Sequence, residues 1–167
     1  MWYHKQHQRG FSLIDVMIVV MVLGVLGAVG TPNIRSWAKN YQLKSASTDL
    51  YSHFQFAKIG AVKQNKPWTV VMNPGGTAGY EVRNGDNTAV KRIGFETKYK
   101  HAVLFGDPTA RQRYDTATFT IHPNGTSTTG YVYLANTVQE SYYRVGFALP
   151  NGLARLHKWN HTQSQWE

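Results

Sequence analysis

The chain has no cysteine among its 167 residues. This absence excludes disulfide bonds, thiolate zinc sites and cysteine nucleophiles, so the fold must be stabilised by packing. The sequence also lacks a G-x-S-x-G motif, a P-loop and a dinucleotide-binding fingerprint, which carry the chemistry of many enzymes. We therefore expect a protein that is not an enzyme and that binds no cofactor, no metal and no small-molecule substrate.

Acidic residues are scarce. The chain has 9 Asp and Glu residues and 18 Lys and Arg residues, so its net charge is +9. A surplus of positive charge attracts nucleic acid without reading its base sequence. The chain has no internal repeat and no low-complexity tract, and its length needs no more than one globular head.

One long apolar run lies near the N-terminus, at residues 11–30, and its one charged residue is Asp15. The run has about the ~20 residues that cross a bilayer as a helix. Lys5 and Arg9 precede it, so the positive-inside tendency predicts a cytoplasmic N-terminus and a head beyond the inner membrane. Because a carboxylate in hydrocarbon costs roughly 3 kcal/mol or more, Asp15 should have a partner.

A secretory signal peptide and an ordinary uncleaved anchor are alternatives for this segment. A secretory signal ends in a small-residue cleavage site after its apolar stretch. Residues 28–32 form only a weak version of such a site, and Asp15 would lie inside the apolar stretch. Both features disfavour the secretory alternative.

The residues directly before the apolar run, Arg9, Gly10 and Phe11, resemble the class III leader of type IV prepilins and type II secretion pseudopilins. The resemblance implies that residues 1–10 are a leader peptide. It also implies that prepilin peptidase cuts between Gly10 and Phe11 on the cytoplasmic side and methylates the new amino terminus at Phe11. The mature chain would keep its apolar helix in membrane lipid.

The same resemblance assigns roles to Asp15 and Pro32. The family usually carries Glu at the fifth mature position, where this chain has Asp15. The resemblance implies that this carboxylate pairs with the terminal amine of a neighbouring subunit, since opposite charges attract strongly at low dielectric. Pilins commonly carry a helix-bending proline at the position of Pro32; the alternative is that this proline simply ends the membrane helix.

Beyond Pro32, apolar residues recur mostly at steps of three and four, which predicts an amphipathic helix. They are Ile34, Trp37, Tyr41, Leu50, Phe54, Ala57 and Ala61, and the other face carries Arg35, Lys39, Lys44, Asp49, Lys58 and Lys63. The helix should end near Asn65, because Pro67 cannot continue it. We thus predict a membrane half at 11–32 and an amphipathic half at 33–66 that packs on the protein's own sheet, with contact to neighbouring subunits as the alternative.

Residues 67–167 are predicted to form a β-rich periplasmic head. Runs of β-branched and aromatic residues, separated by Gly, Pro and Asn turns, lie at 68–72, 80–83, 101–105, 117–122, 131–135, 142–149 and 153–159. Alternating polarity at 118–122 and 131–134 indicates an antiparallel sheet with one buried face. The predicted fold class is α+β, a long N-terminal helix packed on an antiparallel sheet, as in pilins.

Two stretches, 118–134 and 142–160, each contain a Pro-Asn-Gly turn, and the first ends in G-x-V-Y-L. They are similar to the head of the FimT/GspH-type pilin-like proteins. This resemblance implies a minor pseudopilin, a structural subunit at the tip or in the initiation complex of the type II secretion pseudopilus. Its implied partners are prepilin peptidase, other pseudopilins or pilins, and an inner-membrane assembly platform.

The alternative is a minor type IV pilin of FimT type, which acts in pilus assembly and DNA uptake. Without Lys5 and Arg9 the charge is 16 minus 9, or +7. Some relatives bind DNA through a G-R-x-R motif, and the matching stretch 152–155 keeps only its last arginine, Arg155. Arg155 and Lys158 are thus the candidate DNA contacts, with Trp159 and Trp166 as stacking platforms. We favour the simpler interpretation that these are solvated or packed strand residues.

The spacing of His157 and His161 suits a metal site on a helix. Both fall in a predicted strand and tail, where a four-residue step does not bring two imidazoles together. We therefore predict no metal site.

Overall fold

The computed structural model describes residues 12–109 and 113–167, with side chains described throughout except at 28–36. The chain divides into two compact units, Met1–Trp37 and Ala38–Glu167. The predicted leader and the predicted cleavage site at Gly10 and Phe11 lie outside the described residues.

The first element is a single helix, α1, which spans Leu13–Gln64. It continues through Pro32, so the proline does not end the helix, and a bend at this position stays a prediction. Among the described side chains of the first unit the large apolar ones are exposed, Leu13 at 79% and Met21 at 73%. Over the part of the chain that the structure describes, no helix meets the length and hydropathy needed to cross a membrane.

The C-terminal end of α1 lies where the sequence predicts it. Asn65 adopts a left-handed conformation with a φ of 49°, and its amide donates to the carbonyl of Val62. The amide of Lys66 donates to the carbonyl of Ala61. This pair of bonds is the Schellman motif, and Pro67 follows it because proline cannot extend a helix.

One face of α1 supplies the helical part of the core in the second unit. Leu50, Phe54, Ala57 and Ala61 are fully buried, as predicted. The prediction is wrong for the N-terminal part of the stripe, where Trp37 and Tyr41 are 69% and 65% exposed. At about 100° per residue, Tyr41 lies half a turn away from Leu50. The buried stripe begins instead with Leu43, Ala46 and Ser47.

The strands of the second unit form two antiparallel sheets. Their bounds are β1 Trp68–Met72, β2 Gly79–Arg83, β3 Ala89–Gly94, β4 Val103–Phe105, β5 Thr118–Ile121, β6 Gly130–Asn136, β7 Tyr142–Phe147, β8 Ala154–Asn160 and β9 Gln165–Trp166. The first sheet has the order β3-β2-β1-β5, and the second has the order β4-β6-β7-β8-β9. A 3-10 turn, Pro74–Gly76, precedes β2, and a short helix, α2, Phe95–Tyr99, follows β3.

The prediction of a long helix packed on antiparallel β structure is confirmed, but the strands form two sheets instead of one. The division arises because β5 pairs with β1 and not with the strand that follows it in sequence. The sequence also left β3, α2 and β9 unpredicted.

Phenylalanine rings connect α1 to both sheets. The ring of Phe54 lies edge-on to Phe119 of β5 at 5.1 Å and to Phe147 of β7 at 4.9 Å. All three side chains are at most 1% exposed. The core is therefore continuous from the helix into both sheets.

Two turns that the sequence predicts separately contact each other. The amide of Ser127 donates to the carbonyl of Pro150 at 3.0 Å, and Lys58 Nζ of α1 donates to the carbonyl of Gly152 at 3.0 Å. Gly152 has a φ of 64°, and a Cβ there would collide with the carbonyl oxygen of Gly125. Glycine is thus required at residue 152 by both backbone conformation and space.

Candidate functional site

Asp15 lies in the first turn of α1, where its carboxylate has a local partner. Its Oδ2 accepts a hydrogen bond from the Ser12 amide at 3.1 Å, and Ser12 Oγ accepts one from the Ile14 amide at 3.4 Å. This reciprocal arrangement is a capping box. A carboxylate at this end of a helix also interacts favourably with the helix dipole.

This capping role was not predicted, although its sequence signal is present as Ser12 three residues before Asp15. The cap holds the start of the helix and orients the Asp15 carboxylate. The pairing of Asp15 with a neighbour's terminal amine stays a prediction.

The outer face of the second sheet, opposite the core, carries a cluster of aromatic and basic side chains. We call it the aromatic face; its members are Tyr131, Tyr133, Arg144, Arg155, His157, Trp159 and Trp166. Strand register brings them together, since Tyr133 is paired with Arg144 across β6 and β7, and Arg144 with His157 across β7 and β8. Trp159 is paired with Trp166 across β8 and β9.

Arg144 is at the centre of the aromatic face. Its guanidinium carbon lies 4.5 Å from the ring centre of Tyr131 and 5.0 Å from that of Trp166. The rings of Trp159 and Trp166 meet edge to face at 5.2 Å. Cation–π contacts of this kind attract the guanidinium to the rings, so the charge of Arg144 is held between Tyr131 and Trp166.

Two nitrogen atoms of the aromatic face are buried without a hydrogen-bond partner among the described residues: Arg144 Nε and His157 Nε2. Burial, together with the positive charges of Arg144 and Arg155, lowers the pKa of His157. The imidazole is therefore neutral at pH 7, and the arginines supply the positive charge of the face.

The structure does not bring Arg155 and Lys158 together. Arg155 is paired with Gly146 and Lys158 with Tyr143, and side chains three residues apart on a strand point to opposite faces. Both side chains are exposed, but Arg155 alone lies on the aromatic face. Contact of either residue with DNA stays a prediction.

His157 and His161 also have separate surroundings. The ring of His157 lies 6.1 Å from that of Tyr131, whereas His161 Nε2 lies 2.8 Å from the carbonyl oxygen of Glu140. Among the described residues, no group of three or more His, Cys, Asp and Glu is placed to hold a metal ion.

Comparison with known proteins places this architecture in a class. The fold matches the type IV minor pilin FimU of Pseudomonas aeruginosa strain PAO1 with a TM-score of 0.51 and 14% identity, over 75% of this chain and 97% of that one. Such a likeness shows the fold alone. A sequence profile described as the prokaryotic N-terminal methylation motif matches residues 5–31. Helix, sheets and motif together define a protein with a pilin-like fold.

The profile of the family described as Type II transport protein GspH matches residues 46–148, well over half of the chain. The chain belongs to this family, and it is a minor pseudopilin or pilin.

Two curated relatives are similar over a short segment only. Prepilin peptidase-dependent protein D of Escherichia coli K12 is 40% identical over 47 residues, which are 28% of this chain and 30% of that protein. Type II secretion system core protein G of Klebsiella pneumoniae is 36% identical over 45 residues, 27% of this chain and 32% of that protein. The chain thus spans less than a third of the length of either relative.

Proposed function

We propose that the protein is a minor pseudopilin of the type II secretion system, located at the tip or in the initiation complex of the pseudopilus. The observation that carries the proposal is the presence of both family signals in one chain, the methylation motif at 5–31 and the GspH match at 46–148. The similarity to a type II secretion core protein G supports the choice of machine.

In this proposal the segment 11–32 anchors the subunit in the inner membrane, with the N-terminus cytoplasmic and the head periplasmic. Prepilin peptidase removes residues 1–10 and methylates Phe11, and the similarity to a prepilin peptidase-dependent protein supports this step. The subunit then passes through the assembly platform into a filament with other pseudopilins.

Processing and assembly are tested together on the full chain in its host. We expect mass spectrometry of the membrane-extracted protein to find Phe11 as the methylated first residue. Crosslinking in intact cells should join it to secretion pseudopilins and their platform protein. An intact Met1, or a first residue near Thr31, would contradict the processing step, whereas type IV pilins among the crosslinked products would assign the subunit to a pilus.

A DNA-binding minor pilin is the second candidate, and the aromatic face is the observation that favours it. Arginines beside half-buried rings can contact phosphates while bases stack on the accessible faces of the aromatic side chains. The net charge of +7 that remains without Lys5 and Arg9, 16 minus 9, adds a sequence-independent attraction to nucleic acid.

Arg155 and Lys158 offer a matched pair of variants, because both are exposed residues of β8 on opposite faces. Arg155→Ala is expected to weaken binding of a fluorescent single-stranded oligonucleotide about five- to tenfold at low salt. It should also make the slope of the logarithm of the binding constant against the logarithm of the salt concentration shallower by about one. Lys158→Ala should stay within about twofold of the unchanged protein. Fluorescence anisotropy over a salt series measures both, and equal losses in the two variants would exclude the aromatic face as the interface.

A further inference from the structure

The outer face of the first sheet carries an open cleft that has no part in the function described so far. It lies between β2, β3, the 3-10 turn and α2, and has a volume of about 830 Å³. Its polar lining consists of Thr77, Glu81, Arg83, Arg92, Thr97 and Lys98. Three of these six side chains are cationic, so the chemistry of the cleft is that of an anion site.

A buried carboxylate organises the arginines of the cleft. The Glu81 side chain is 3% exposed, and its Oε2 accepts hydrogen bonds from Arg83 Nε at 3.1 Å and Nη2 at 3.0 Å. Its Oε1 accepts a hydrogen bond from Arg92 Nε. Burial alone would raise the pKa of Glu81, but the hydrogen bonds and charges of Arg83 and Arg92 outweigh it and lower the pKa. The carboxylate therefore stays ionised and holds both guanidinium groups.

One carboxylate cannot neutralise two guanidinium groups, so a positive charge remains. Lys98 does not supply it, because Lys98 Nζ lies 2.8 Å from Asp49 Oδ2. Arg83 makes a further bond through Nη1 to Asn87. The Arg92 side chain is 73% exposed, and within the described part of the chain the one hydrogen bond of this side chain is through Nε. Its two terminal nitrogens are thus available to a ligand.

An arginine held through Nε presents its terminal nitrogens as a rigid fork. A carboxylate fits this fork with two parallel hydrogen bonds, and Glu81 has already reduced the freedom of the side chain. A site with its donor preorganised loses less conformational entropy when it binds.

We propose that this cleft binds a carboxylate-bearing segment of an acidic neighbouring protein, with Arg92 as the recognising residue. The identification of the neighbour as another subunit of the filament rests on the proposed function. The binding of a carboxylate by Arg92 does not depend on it.

Charge argues against a second copy of this chain as the neighbour. The processed chain keeps all 9 acidic residues and has a net charge of +7, 16 minus 9, so two copies repel each other. Several of its carboxylates already have partners: Asp49 with Lys98, Glu81 with the two arginines, Asp86 with Lys66, and Asp115 with the Tyr131 amide. An acidic protein of another sequence complements the cleft better.

The lining of the cleft also argues for peptide over nucleic acid. None of the described lining residues is aromatic, so bases would find no ring on which to stack. The clustered rings around Arg144 lie on the second sheet instead.

The proposal is tested with the processed full-length protein in detergent and two fluorescent peptides of equal length, one of alternating Glu and Gly and one of alternating Gln and Gly. We expect binding of the Glu peptide alone. Arg92→Ala should weaken it about tenfold, because a charge-assisted pair of hydrogen bonds is lost. Arg92→Lys should recover only part of the loss, since lysine keeps the charge without the fork.

Arg155→Ala is the matched control, because it removes another exposed arginine from the other sheet. It should bind the Glu peptide as the unchanged protein does. Unchanged affinity in Arg92→Ala, or an equal loss in Arg155→Ala, would overturn the proposal. It would also be overturned if Arg92→Ala abolished oligonucleotide binding and left peptide binding intact. Absence of peptide binding would not change the results expected for processing and crosslinking, so the two proposals can be contradicted separately.

Discussion

Phe54→Ala is expected to lower the free energy of unfolding by about 3 to 5 kcal/mol. The Phe54 ring is 0% exposed and packs between Phe119 of the first sheet and Phe147 of the second. Its removal leaves a cavity where the helix and the two sheets meet, and none of these elements can close it alone. Since small domains are stable by about 5 to 15 kcal/mol, this loss removes a large fraction of the total stability.

Phe56→Ala is the matched control for this prediction. Phe56 lies on the same helix, but it is 39% exposed and contacts the Trp68 ring at 5.5 Å. Removal of the Phe56 ring should lower the free energy of unfolding by no more than about half as much as removal of the Phe54 ring. Urea unfolding of the full-length chain in detergent, followed by tryptophan fluorescence, measures both variants. Equal losses would mean that Phe54 does not couple the helix to the two sheets.

Asp15→Ala is expected to leave processing intact and to reduce incorporation into filaments at least about tenfold. Two unit charges about 4 Å apart attract by about 4 kcal/mol at an effective dielectric of 20, and the variant loses this interaction with a neighbour's amine. Asp15→Glu should assemble, because it keeps the charge. Quantitative immunoblots of the filament and membrane fractions measure incorporation, and mass spectrometry measures processing.

The capping box offers a second explanation for an assembly defect in Asp15→Ala, and Ser12→Ala separates the two. Ser12→Ala removes the hydroxyl that caps the Ile14 amide and costs about 1 kcal/mol of helix stability, but it keeps the carboxylate. If helix capping alone mattered, Ser12→Ala would assemble as poorly as Asp15→Ala. Normal incorporation of Asp15→Lys would contradict the pairing role.

The local part of the fold could be predicted because it depends on neighbours in sequence. The run 68–72 is predicted and observed with the same bounds as β1, since Pro67 and Asn73 limit it on both sides. The alternation of Phe119 and Ile121 with threonines places the two apolar residues in the core, where both are 0% exposed. The helix end at Gln64 follows from the proline at residue 67.

The elements that escaped prediction depend on partners far away in the chain. The strand β3 is largely exposed and lacks an apolar face, so only its pairing with β2 makes it a strand. The two residues of β9 are held by pairing with β8. Trp37 and Tyr41 were predicted to be buried because they are apolar, but the rotation of the helix turns Tyr41 away from the core.

The candidate sites show the same limit. Arg155 was singled out from a motif, but the partners of the aromatic face come from β6, β7 and β9, and only strand register places Tyr131 and Trp166 around Arg144. The cleft at Arg92 needs the pairing of Glu81 with Arg92 across β2 and β3. Nothing in the spacing of these two residues indicates that they form an ion pair.

The sequence by itself determined the chain's class through three local features. A basic residue and a glycine precede an apolar run that contains one acidic residue. An amphipathic helix follows, and then β strands separated by turns that contain Pro, Asn and Gly. Each of these depends on residues that are close in sequence. The tertiary structure alone decided that the strands divide into two sheets, that Arg155 and Lys158 face opposite ways, and that Glu81 holds two arginines at a cleft. Strand order and register place these residues, and both result from burying one common core against α1.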